Sequence, residues 1–390
     1  MKILLLPLAL LYMGCVMGSG GDTTTDYANL VLGQSNFITT GSNANSTASD
    51  SSLSNPKGIF FDGTKLYIAD TSNNRVLIWN TNPTSNKQSA DVVVGQANKT
   101  SNSPNQGSTA SCATLSGPTS VHVNGGRLFI ADTGNHRILI YNTIPTSDGA
   151  TANRVVGHAD CTQTAANRLD GSTAGVRADT LSSPTDVFYN GSKMVIADSG
   201  NHRVLVYNSL PTNTSEDADV VVGQTDKEKA SLNSPNANTL SSPSGVYAND
   251  DKLLIADTGN NRILIFNTIP TSDNTSANTV IGQTSMTTSG SGTSSSTLSG
   301  PTDIHADSES RLAIADKGNH RVLIYDTIPG SNGAAAHRVL GQADFTTAKA
   351  NRDSDPAGNS LNGPSGVFSN SSIYWIADTF NNRSLRFSAD

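Results

Sequence analysis

Along most of its length the chain alternates between apolar runs of about five residues and stretches of Ser, Thr, Asn, Gly, Asp and Pro. None of these runs shows the three-to-four-residue spacing of an amphipathic helix. Runs this short, rich in Val, Ile, Leu and aromatic residues and bounded by turn formers, predict β-strands. They are apolar at nearly every position rather than at alternate ones, which predicts small sheets covered on both faces.

The runs recur in sets of four. One follows a proline ("PTSVHV" from Pro118), one ends in "IAD", one starts at an arginine ("RILIY" from Arg137), and one ends in Gly-Gln ("VVVGQ" from Val92). The aspartates of "IAD" are Asp70, Asp132, Asp198, Asp257, Asp316 and Asp378, at intervals of 59 to 66 residues. Such a period without helical signal marks a repeat architecture. Four-stranded sheets packed on a neighbour at either side are the blades of a β-propeller.

The two ends of the pattern complement each other. The sixth unit stops at Phe387 without a Gly-Gln strand of its own, while an orphan copy, "LVLGQ" at residues 30–34, precedes the first unit. The expected fold is all-β: a six-bladed β-propeller of four-stranded antiparallel blades over residues 29–390. Its N-terminal strand completes the last blade, so that no sheet edge is left open.

The units resemble NHL repeats. "LSSPSGVYANDDKLLIADTGNNRILIF" from Leu240 carries the leucine, proline, glycine, apolar strand and Ala-Asp-Thr-x-Asn-His/Asn-Arg signature, and the likeness runs over residues 30–387. The resemblance implies the propeller and leaves its function open, because one fold hosts unrelated activities.

Four residues separate the Asp of "IAD" from the Arg that opens the next strand, which suits a tight turn built from Asp, Asn and Gly. Asp70 with Arg75, Asp132 with Arg137, Asp198 with Arg203, Asp257 with Arg262, Asp316 with Arg321, and Asp378 with Arg383 are therefore expected to be structural pairs of the turns. In the same turns His136, His202 and His320 interchange with Asn74, Asn261 and Asn382, which points to hydrogen bonding rather than catalysis.

Function is expected where the repeat is broken. Before the first apolar residue of the innermost strand the units carry Gly58, Ser120, Asp186, Gly245, Asp303 and Gly366. Asp186 and Asp303 are thus candidates to face a shared opening and hold a cation or an amino group; the alternative is that each caps a local turn. Two positions further on come Phe60, His122, Phe188, Tyr247, His305 and Phe368. His122 and His305 are candidate metal ligands reaching into the channel, or core residues of an aromatic layer.

The loops of 14 to 22 residues between each Gly-Gln (Gly-His in one unit) and the next Leu-Ser (Leu-Asn in one unit) are made largely of Ser, Thr, Asn, Gly and Ala, with Phe37, Phe345, Arg168, Arg177 and Arg352 as their few aromatic and arginine side chains. In repeat proteins such insertions map to one face, often the binding face. No zinc-helix, phosphate-loop or nucleophile-elbow motif occurs.

Residues 1–15, "MKILLLPLALLYMGC", have the layout of a secretory signal and are too short and too irregular to span a bilayer. They resemble a bacterial lipoprotein signal, which implies lipidation at Cys15, with residues 16–28 as a flexible tether. Export places the chain in an oxidising setting. There Cys112 and Cys161, in equivalent loops of successive units, either form a disulfide or stay as two free thiols. With 25 basic against 32 acidic residues and no basic cluster, nucleic-acid binding is not expected.

The leading expectation is an exported, envelope-located monomer, on a membrane through its lipid anchor only, that binds a protein, peptide or glycan and needs no cofactor. The resemblance also implies an alternative: a metal-dependent lyase or hydrolase, with calcium or zinc at the channel mouth.

Overall fold

The computed structural model describes residues 26–167, 175–249 and 251–389. The signal segment, Cys15, most of the tether and Arg168 lie outside the described residues.

Six four-stranded antiparallel sheets follow one another around a ring. Blade 2 is representative: Ser120–Asn124 is innermost, then Arg127–Asp132, Arg137–Tyr141 and Arg154–Val156. Blades 1 to 5 take their four strands in chain order, and blade 6 takes three from residues 366–388 and its outermost from Leu30–Leu32. That N-terminal strand pairs Leu30 with Arg386, Val31 with Leu385 and Leu32 with Ser384, so the ring is closed as the orphan strand predicts.

The second and third strands of every blade are buried almost throughout. The apolar clusters that hold the ring together lie mainly between blades: Phe129, Ile140 and Leu181 pack with Val187, Ile196 and Leu205 across the seam of blades 2 and 3. This is why the strands read as apolar on both faces. Each face is covered by a neighbouring sheet.

The turn after each "IAD" is a single 3-10 turn ending in a left-handed residue: Asn74, His136, His202, Asn261, His320 or Asn382, with φ between 51° and 55°. Asn tolerates that region and His is also enriched there, which accounts for the backbone half of their interchange. The side-chain half is a bond to the next blade. Asn74 Oδ1 accepts the Gly117 N–H at 2.7 Å, and His136 Nδ1 accepts that of Ser183 at 2.8 Å. His202, Asn261, His320 and Asn382 accept from Ser242, Gly300, Gly363 and Asn55 in the same way, so the turns form an unbroken belt around the ring.

Each turn also encloses a buried ion pair. Asp132 Oδ2 lies 2.7 Å from Arg137 Nε, with both side chains fully buried, and the other five units repeat this within 0.1 Å. The guanidinium goes on to bind carbonyls of the two loops that flank its blade. In blade 2 these are Ser111 and Thr114 of the preceding loop, and Cys161 of the following one. Burial pushes the Asp70, Asp132, Asp198, Asp257 and Asp316 carboxyls up against the pull of their arginines. A guanidinium does not lose its proton in a protein, so we take these pairs to be ionised. The pairs are the frame of the molecule, and they also fasten the long polar loops to it.

Candidate functional site

The innermost strands begin where the long loops end, so the mouth of the channel, the loops and the turns share one face. Just inside that mouth is a cavity of about 50 Å³, lined by Gly58, Ser120, Asp186, Asp303, His122 and His305 among others. It has room for a few water molecules or a small group and is far smaller than the clefts that hold drug-sized ligands.

Asp186 and Asp303 both face this lumen, retaining some accessible surface while protein surrounds them. Asp186 accepts bonds from Ser120 Oγ, from its neighbour Val187 N–H at 2.8 Å, and from Val246 N–H of blade 4 at 2.7 Å. Asp303 accepts from Ile304 N–H at 2.8 Å and from Val367 N–H of blade 6 at 2.8 Å. Each aspartate thus joins the inner strand of its own blade to that of the next.

The glycines are complementary to this. A Cβ on Gly245 would come within 2.7 Å of Thr302 O, and one on Gly366 within 2.0 Å of Lys57 O. Glycine follows each aspartate around the ring and lets the adjoining strand approach.

No cation pairs with either carboxylate among the described residues. Burial raises Asp186 to about 6. Burial first, and the Asp186 charge second, push Asp303 well above the usual carboxylate range. Both carboxyls therefore hold their protons more tightly than a free aspartate does.

The two histidines sit deeper. Phe60, His122, Phe188, Tyr247, His305 and Phe368 form a closed cycle of ring contacts, with neighbouring centroids 4.2 to 5.5 Å apart. This aromatic layer is the floor of the lumen. His122 Nε2 meets the Tyr189 carbonyl at 2.9 Å, and His305 Nδ1 meets Ser369 Oγ at 3.2 Å. Burial lowers His122 to about 4 and His305 to about 3, which keeps both neutral.

The expected metal-ligand pair is therefore brought to one layer, but each ring spends a nitrogen on its neighbour. Among the described residues no group of three or more His, Cys, Asp or Glu is placed to hold a metal. Two carboxylates already engaged by backbone donors do not fit the tetrahedral nitrogen and sulfur set of zinc, nor the six or more oxygens of calcium.

Cys112 and Cys161 are joined as a disulfide, with Cα atoms 5.1 Å apart. It links the two loops that Arg137 also holds. Phe37, Phe345, Arg177 and Arg352, the large residues of the loops, are not gathered into one patch: Phe37 and Phe345 offer their carbonyls to Arg383 and Arg321, and Arg352 bonds the Gln342 carbonyl.

Sequence reasoning missed the role of the Gly-Gln pair. Gln96 Nε2 donates to the Asn74 carbonyl at 2.9 Å, locking the turn of its own blade, and Gln34, Gln224, Gln283 and Gln342 do the same. His158 Nε2 meets Asn135 O at 2.9 Å in the corresponding place. The interchange of Gln with His at one fixed position is the signal that could have revealed it.

In sequence, the NHL repeat family model matches residues 115–141 and 240–266, the second strand region of two units and the strand before and after it. No curated protein matches the chain. Among solved structures, the selenomethionine-substituted virginiamycin B lyase from Staphylococcus aureus aligns at 10% identity and a TM-score of 0.46, over 86% of this chain and 96% of that one. A streptogramin B lyase aligns at 9% and 0.43, over 86% and 93%. A nidogen/laminin complex aligns at 13% and 0.41, over 70% and 75%. At these levels the likenesses carry no functional information.

Proposed function

We propose that this protein is a binding propeller, exported and held to a membrane through lipidated Cys15, that recognises a protein, peptide or glycan with its loop-bearing face. One observation carries the reading: the long loops, the channel mouth and the positions that break the repeat all lie on a single face, and six buried arginines hold its loops in place. A face held in this way loses little conformational freedom when it binds. The groups that would serve catalysis are occupied in the ring's own bonds.

The competing reading is a metal-dependent lyase or hydrolase at the channel mouth, and it draws on the raised Asp186–Asp303 pair. The test is to screen the soluble domain, residues 29–390, against peptide and envelope-glycan arrays, beside a variant whose loop at 284–297 is cut to four residues. Saturable binding that the variant loses supports the proposal. Substrate turnover abolished by Asp186→Asn with Asp303→Asn, without array binding, overturns it. Membrane attachment is checked separately, by palmitate labelling that Cys15→Ser should abolish.

A further inference from the structure

Two lysines break the repeat on this face at places where the other blades carry hydroxyls. Lys57 stands where the other units have Thr119, Thr185, Ser244, Thr302 and Ser365, and Lys317 where they have Thr71, Thr133, Ser199, Thr258 and Thr379. The usual hydroxyl is a structural part. Thr71, Thr133, Thr258 and Thr379 each donate to the proline carbonyl at the start of the next blade, at 2.6 to 2.8 Å. Lys317 replaces that donor, and at the seam between blades 5 and 6 the Pro364 carbonyl is met instead by the long 3.5 Å contact from Thr302 Oγ1.

The two lysines converge on one place. Thr379 Oγ1 binds Pro56 O, next to Lys57, and so ties that segment to the blade 6 turn that carries Phe380. His320 binds Gly363 N–H and ties the Lys317 turn to blade 6 from the other side. Lys317 Nζ lies 5.2 Å from the centre of the Phe380 ring, which is 53% exposed.

Both ammonium groups are partly buried, and burial lowers the affinity of each for its proton; at Lys317 the Lys57 charge adds to this. Lys99 and Lys227, by contrast, are paired with Asp148 and Asp273. Among the described residues neither the Lys57 nor the Lys317 ammonium has an ion pair or a hydrogen-bond partner. Two like charges, partly desolvated and uncompensated in a chain with net charge −7, cost the free fold stability. Departures from local rules without a compensating contact are where function is expected.

We propose that Lys57, Lys317 and Phe380 form an anion site at the channel mouth, taking a carboxylate or phosphate-ester group whose apolar body lies on the Phe380 ring. The anion supplies the charge that the fold leaves out, and the ring supplies apolar contact. This deepens the binding reading above and rests on it.

The test uses benzoate and phenyl phosphate, with inorganic phosphate and benzyl alcohol as controls, titrated by calorimetry and by NMR into the soluble domain. Lys57→Thr and Lys317→Thr install hydroxyls of the kind the other blades carry there, so both variants should fold and melt no lower than the parent. Saturable one-to-one binding of benzoate or phenyl phosphate, weakened at least fivefold by either substitution and by added salt, supports the site; which of the two binds tighter separates carboxylate from phosphate as its source. Binding unaffected by the substitutions, equal binding of benzyl alcohol, or binding of neither anion overturns it. Array binding that survives Lys57→Thr and Lys317→Thr would refute this site alone and leave the broader reading standing.

Discussion

His136 Nδ1 accepts the Ser183 backbone N–H across a blade seam, as Asn74 Oδ1 accepts that of Gly117. Only the neutral imidazole can do this, and burial holds His136 and His320 below the ordinary histidine range. A depressed histidine contributes stability that is present above its unfolded value, near 6.5, and lost as pH falls through the folded one. Melting temperature should therefore decline below about pH 6.5 in the parent, and decline less in a His136→Asn, His320→Asn variant that keeps the acceptors. Equal slopes for the two proteins would show that these bonds do not govern the acid limb.

The lumen carboxylates have the opposite sign. Asp186 is raised to about 6 from an ordinary value near 3.8, so the folded state holds its proton more tightly, and stability falls as pH rises between those values. Asp303→Asn removes the titrating group and keeps one of the two oxygens that accept the Ile304 and Val367 N–H groups. The fall of stability with rising pH should be shallower in this variant than in the parent, read as melting temperature against pH. An equal slope in the two proteins would show that the lumen pair does not govern this limb.

Arg137 and the Cys112–Cys161 disulfide hold the same two loops, whereas Arg203 works alone. Removing one partner of a buried pair costs about 3–5 kcal/mol. We expect Arg203→Ala to reach that range and Arg137→Ala to fall short of it while the disulfide is intact. Reduction should erase the difference. A double-mutant cycle with Cys112→Ser measures the coupling, and a coupling of zero would separate the two restraints.

The disulfide itself closes 49 residues, which corresponds to about 4 kcal/mol in the chain-entropy account. Denaturant midpoints with and without reductant test this. Unchanged midpoints would place the bond outside the cooperative unit.

The repeat made the frame legible. The spacing of the aspartates gives the blade count, the orphan "LVLGQ" gives the closure, and the exchange of Asn with His gives the character of the turns. The channel was only half legible. Asp186 and Asp303 stand out as departures from glycine, but their partners Val246 and Val367 are backbone groups of the following blade, which no side-chain pattern marks. Lys57 and Lys317 fall at positions that already vary between Thr and Ser. They gain meaning only when the ring brings blades 1, 5 and 6 together around Phe380.

The closing strand sets an order of events. Leu30–Leu32 is synthesised before any blade, and its partner strand in the sheet, Arg383–Ser388, is made after all the other strands. Until residues 383–388 appear, the strand has only its contacts with blade 1, through Asn86, Lys87 and the apolar cluster around Trp79, and lacks its partner in the sheet. Contacts between such distant parts of a chain are slow to form, so the sealing of the ring waits for residues 383–388.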